Sequence, residues 1–226
     1  MKVIILTVSE KGFILNENLK LLNNNHNISV KKFPLTCDYE NSSQNNNCVI
    51  KSIWNNTISC IKKGLRDNDY VCVIQDDFIP NEHFNMALNN CDEFLQTTKN
   101  ASMIFLSSFP CSQFEIINDN FGKITRAVGW ECVVFTKNFI NFVENNKIKV
   151  PDGEHNDVYF NKFYKEDIDA YIHLQSSGKQ NTQRRFIRKF EYRLFHNFRY
   201  SWPYGDPARY IIALIVVILI YLLKKK

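Results

Sequence analysis

The chain predicts an α/β sandwich on a mostly parallel mixed sheet, and three observations carry that expectation. Apolar runs of strand length alternate with helix-length segments through the first half. Several of these runs, such as Val71-Cys72-Val73-Ile74, are apolar at every position, as strands covered on both faces are. The same run ends abruptly in two adjacent carboxylates, Asp76 and Asp77, and then a proline, Pro80. Open α/β sheets bind ligands at the carboxyl ends of their strands, so this is where chemistry is expected. The alternative is an acidic turn capping the next helix, because acids favour helix N-termini.

Taken in order, the pattern predicts a strand over 3–8, a helix over about 13–22, a strand over 28–34 and a loop through 47. A helix over 49–66 then leads to the acid-ended strand 70–76. After Pro80 come a helix over 84–98, a strand over 102–107, and a hairpin of 114–117 with 122–125 around Asn118-Asp119-Asn120. Strand 131–135, helix 137–145, polar loop 151–156, helix 158–164 and strand 170–174 follow, and 176–182 reads as a linker. The mixed second half implies an antiparallel addition to the sheet.

At 226 residues there is room for one catalytic domain with appendages, and 18 Phe and 10 Tyr with few Gly and Pro exclude collagen-like or linker-rich classes. The Asn tracts at 23–25 and 45–47 read as loops. The net charge of +5 is uneven: residues 1–178 hold 17 basic and 21 acidic side chains, net −4, whereas 179–226 hold 11 and 2, net +9. Any partner drawn by positive charge therefore belongs to the tail. Seven cysteines at irregular spacing, without a Cys-x-x-Cys pair, point to reduced core thiols facing the cytosol.

Residues 210–223 form an unbroken apolar stretch of 14 residues bracketed by Arg209 and Lys224-Lys225-Lys226. As a helix it spans roughly 21 Å against a hydrocarbon core of ~30 Å, so the flanking cations must snorkel or the bilayer thin. Upstream, Phe186, Phe190, Leu194 and Phe198 recur every fourth residue among Arg185, Arg188, Lys189, Arg193 and Arg199, the pattern of a basic amphipathic helix in a lipid interface. The expected organisation is a catalytic domain over 1–178, a juxtamembrane segment over 179–207 and a single-pass C-terminal transmembrane anchor over 208–226. The basic flank places the domain on the cytosolic side. The adjoining apolar tail makes a membrane, and no nucleic acid, the expected partner of this charge.

The run from Ser59 to Phe78, through Cys60 and Gln75-Asp76-Asp77, resembles a segment of GT-A glycosyltransferases, particularly glycosyltransferase family 25, the lipooligosaccharide and procollagen galactosyltransferase type. There a Ser-His helix start leads to a strand ending Glu-Asp-Asp. Gly129-Trp130-Glu131-Cys132 resembles the family's glycine-led aromatic strand, Val150-Pro151-Asp152 its Pro-x-Asp region, and His173-Leu174-Gln175-Ser176-Ser177 its closing strand. The chain departs from the family at Cys60, where His is expected, and at Gln75, where Glu is expected.

The resemblance implies a GT-A-like, Rossmann-type sandwich transferring a sugar from a nucleotide-diphosphate sugar to a protein, glycan or lipid acceptor, with Mn²⁺ or Mg²⁺ held by Asp76 and Asp77. Both ions are hard cations that take carboxylate and phosphate oxygens. Asp77 lies furthest out of the strand and is the better metal ligand, while Asp76 ligates or braces the ribose. An inverting transfer also needs a base for the acceptor hydroxyl. Asp152 is favoured from its Pro-x-Asp position, with Glu154 and Asp157 behind it; a solvated acidic loop capping the next helix is the alternative. His173 either completes the metal shell or is a hydrogen-bonded core residue. Thr7, Ser9 and Asp38 follow the first two strands, where the nucleoside lies in such a fold. The rival function is a catalytically degenerate, membrane-anchored binding or structural protein on the same scaffold.

Overall fold

The structure, a computed structural model, describes residues 2–7, 27–32, 46–75, 78–107, 112–127, 129–151 and 154–180. The helix expected over 13–22, the amphipathic segment and the apolar anchor lie outside these residues. Among the described residues no helix is long and apolar enough to cross a membrane.

The chain begins with strands β1 (Lys2–Thr7) and β2 (Asn27–Lys32), helix α1 (Asn46–Gly64) and strand β3 (Tyr70–Gln75). Next come β4 (Phe78–Pro80), α2 (Phe84–Thr97), β5 (Met103–Ser107) and the hairpin β6 (Gln113–Ile116) with β7 (Phe121–Arg126). The chain continues through β8 (Cys132–Thr136), α3 (Lys137–Asn145), the single turn α4 (Asn156–Tyr159) with a 3-10 turn over Phe160–Lys162, β9 (Ala170–His173) and β10 (Gly178–Gln180).

An eight-stranded sheet takes the order β2-β1-β3-β8-β5-β9-β7-β6, and β10 pairs with β4 in a separate ribbon. The expectation of a mostly parallel sheet is corrected. In the large sheet β1 is parallel to β2 and β3, and β5 to β9, whereas β3–β8, β8–β5, β9–β7 and β7–β6 are antiparallel. Val71 to Ile74 are buried on both faces as their composition implies. Burial on two faces reports the layers above and below a strand, not the direction of its neighbour, and β8 inserts antiparallel with all five residues buried.

Helix α2 buries Phe84, Ala87, Leu88, Cys91, Phe94 and Leu95, a stripe of helical period, on the face of the sheet that carries Cys72, Ile74, Cys132 and Val134. Elsewhere in the core lies an aromatic layer, with Trp130 6.4 Å from Trp54, 5.1 Å from Phe160 and 5.9 Å from Phe139 between ring centroids. Thr136 closes the N-terminus of α3, its Oγ1 accepting from the Asn138 N–H at 3.2 Å.

Two local expectations shift. The helix expected over 158–164 starts earlier and is one turn of α-helix followed by the 3-10 turn, because Tyr159, Phe160 and Phe163 pack their rings on one another within 6.0 Å. The first residues of the stretch expected as a linker, 176–178, are instead a pinned strap, and 181–182 lie outside the described residues. Ser176, Ser177 and Gly178 are buried, the Ser177 hydroxyl donates to the Leu106 carbonyl at 2.8 Å, and the Asn81 amide donates to the Ser176 carbonyl at 2.9 Å.

Candidate functional site

Strand order decides where a site can form. β1 has β2 on one side and β3 on the other, so the chain crosses over β1 between them and the order reverses there. In open α/β sheets a crevice opens at such a reversal, outside the carboxyl ends of the two strands. Those ends are Thr7 on β1 and Gln75 on β3, with Leu6 in register with Gln75. Asp76 and Asp77 are the two residues between Gln75 and the start of β4 at Phe78; they lie outside the described residues, as do Ser9, Asp38 and Asp152. For Thr7 the backbone alone is described.

From the other side β8 runs antiparallel to β3, so its first residues meet the end of β3. The Gln75 N–H donates to the Glu131 carbonyl at 2.8 Å, continuing the ladder in which Ile74 faces Cys132. Glu131 is thus the directly opposed neighbour of Gln75, with its side chain on the same face of the sheet. It is 4% exposed. A carboxylate therefore stands across from the position where the family resemblance expects one and the sequence has Gln75. The sequence alone assigns it no role; the available signal is an acid opening the otherwise apolar run 131–135.

Of the acidic-loop candidates, Glu154 is half-buried, its N–H donating to the Pro151 carbonyl at 3.2 Å. Asp157 accepts two backbone N–H groups, Oδ2 from Gly129 at 2.8 Å and Oδ1 from Val158 at 2.9 Å.

His173 lies in the core and is hydrogen-bonded at both ring nitrogens. It sits at the carboxyl end of β9, three strands from β3, roughly 14 Å at ~4.8 Å per strand. The ring is 1% exposed. Because a carbonyl can only accept, Nδ1 carries the proton donated to Gln175 at 2.7 Å, and Nε2 then accepts from the Asn90 amide on α2 at 3.0 Å. Burial pushes the imidazole pKa down, against the hydrogen bond donated to the Gln175 carbonyl that raises it, and the nearby His83 adds to the lowering. Neutral and held at both nitrogens, His173 ties β9 to α2.

Among the described residues no group of three or more His, Cys, Asp or Glu side chains could hold a metal ion. The two adjacent carboxylates that follow Gln75 in the sequence, Asp76 and Asp77, offer only oxygen donors, which suit a hard cation. A surface depression lined by Asn55, Ile58, Ser59, Lys62, Lys63 and Arg66 follows the outer face of α1 and includes none of these residues.

No protein-family model matches the chain, and no curated protein matches it. Solved structures do. S. aureus TarS 1-349 aligns at a TM-score of 0.46 and 10% identity, over 78% of this chain and 59% of that one. The 4-diphosphocytidyl-2C-methyl-D-erythritol synthase of Anaerococcus prevotii aligns at 0.39 and 11% identity, over 86% of this chain and 96% of that one. A nucleoside-diphosphate-sugar pyrophosphorylase from Vibrio cholerae aligns at 0.38 and 7% identity, over 76% and 72%. The chain spans 59% of the length of the TarS fragment, and at these scores the likenesses assign no activity.

Proposed function

We propose that this protein is a membrane-anchored glycosyltransferase that moves a sugar from a nucleotide-diphosphate sugar to a protein, glycan or lipid acceptor. The observation that carries the reading is that Asp76-Asp77 directly follow β3 in the sequence, and that β3 ends beside β1, where the order of the described strands reverses. Asp77 and Asp76 hold Mn²⁺ or Mg²⁺, which when bound neutralises the charge that develops on the departing diphosphate. Thr7, Ser9 and Asp38 line the nucleoside side. Asp152, with Glu154 near it in sequence, takes the acceptor hydroxyl proton as that oxygen bonds to the anomeric carbon.

The test is Mn²⁺-dependent hydrolysis and transfer with a panel of nucleotide sugars, comparing wild type with Asp77→Ala. Activity in the wild type and a loss of about 10²-fold or more in the variant is expected, the scale of removing one electrostatic stabiliser. Equal activity in both proteins would sink the metal assignment. No turnover by the wild type would favour the degenerate scaffold.

The apolar stretch over 210–223 and the +9 tail support a single-pass anchor with the domain facing the cytosol. Carbonate-resistant membrane association that disappears on deleting residues 208–226 is expected; a soluble full-length protein refutes it.

A further inference from the structure

Between β7 and β8 the chain must turn and then deliver Glu131 to the position opposite Gln75. Two N–H groups of that turn are taken by side chains from a single segment. The Gly129 N–H donates to Asp157 Oδ2 at 2.8 Å, and the Ala127 N–H donates to Asn161 Oδ1 at 2.7 Å. Asp157 and Asn161 are four residues apart, the spacing that places side chains on one helical face, and the Asn161 amide donates back to the Asp157 carbonyl at 3.3 Å.

Gly129 itself has φ 92°, a backbone conformation that residues with a Cβ adopt only under strain. The next residue is held as firmly. Trp130 packs on Phe160 and donates its indole N–H to the Tyr164 hydroxyl at 3.2 Å. Burial pushes the Tyr164 phenol pKa far up, so this oxygen stays protonated. Asp157, Phe160, Asn161 and Tyr164 together thus grip Ala127, Gly129 and Trp130, and Glu131 is the next residue along.

We propose that Asp157 is a positioning residue of the candidate site and not its base: through Gly129 it fixes the turn that sets Glu131 beside Gln75 at the carboxyl end of β3. Both of its oxygens already accept backbone N–H groups, and a proton on Oδ2 would compete with the bond that holds the turn. The functional half of this inference rests on the transferase reading; the clamp does not.

The experiment compares full-length wild type, Asp157→Asn, Asp157→Ala, Glu131→Gln and the double variant Asp157→Ala/Glu131→Gln. Asparagine keeps an oxygen that can accept from Gly129 but has no basicity. Asp157→Asn is therefore expected to retain kcat within about tenfold of wild type, the scale of one weakened hydrogen bond. Asp157→Ala loses more, and the double variant is no worse than its poorer parent. A base would instead show losses of ~10²–10⁴-fold in kcat for Asn and Ala alike at unchanged KM, which overturns the assignment. A double variant that loses the product of the two single effects overturns the link to Glu131.

Amide hydrogen exchange at Gly129 provides the readout that needs no turnover. Protection in wild type and Asp157→Asn, lost in Asp157→Ala, is expected, and equal protection in all three proteins refutes the clamp. If the wild type turns over no nucleotide sugar, the transferase reading fails, the role of Glu131 falls with it, and exchange alone decides the clamp.

Discussion

Replacing Gly178 by alanine tests whether the strap at the end of the domain is part of the site's framework. Gly178 pairs with Pro80 in the β10–β4 ribbon, two residues from Phe78, which itself follows Asp77. A Cβ at position 178 would lie 2.3 Å and 2.7 Å from Phe78 ring carbons and 2.5 Å from the Ile79 carbonyl oxygen. None of these neighbours can yield freely. The oxygen belongs to the backbone of the paired strand, and the Phe78 ring is fully buried and packs on Phe84 at 6.0 Å. Overpacking of this kind destabilises by about 1–3 kcal/mol, and the lower chain entropy of unfolded alanine offsets about 0.4–1 kcal/mol of it. A net loss of about 1–2 kcal/mol corresponds to a fall in melting temperature of roughly 2–8 °C for a chain of this size. Thermal unfolding followed by circular dichroism gives the number. Because Phe78 directly follows Asp77 in the sequence, nucleotide-sugar turnover at 25 °C should also fall, beyond what the small unfolded fraction accounts for. A Gly178→Ala protein melting within about 1 °C of wild type with full turnover refutes the claim that the strap is fixed against β4.

The remaining predictions concern buried titratable groups. His173 has its pKa lowered from the ordinary 6.5 by burial, so below that value the unfolded chain binds a proton that the folded one does not. Its contribution to stability is therefore fully present above pH 6.5 and is lost as pH falls below it. Urea midpoints of wild type should drop more steeply on acidification than those of His173→Gln, and parallel curves contradict the assignment. Cys60, Cys72, Cys91 and Cys132 form no disulfide and are fully buried, with burial pushing the Cys91 and Cys132 thiols well up. Alkylation followed by mass spectrometry should leave all four unmodified in the native protein and label them in urea; native labelling of any of them argues against the packing of that strand or helix.

Local pattern was enough for most elements. Helix Lys137–Asn145 and the β6–β7 hairpin around Asn118 lie where apolar spacing and turn residues put them, because each is stabilised by contacts near in sequence. The same holds for the acid-ended strand β3, whose four central residues are buried as their composition demands. Direction was not legible in this way. An apolar run such as Cys132–Thr136 reads the same whether it pairs parallel or antiparallel, and the antiparallel insertion of β8 between β3 and β5 depends on partners 25 to 66 residues away.

The candidate site divides along the same line. Asp76 and Asp77, the oxygen chemistry they offer a hard cation, and the basic, apolar-ended tail are properties of neighbouring residues and are readable in order along the chain. Glu131 opposite Gln75, Asp157 on the Gly129 amide and His173 locked between Gln175 and Asn90 are pairings across 2 to 83 residues, of which only the shortest is local. Side-chain type sets which hydrogen bonds a group can make, but only the folded register selects the partner. That is why the sequence could nominate Asp157 and His173 for chemistry, whereas the bonds they make to Gly129, Gln175 and Asn90 are legible only in the packing of α4 and β9.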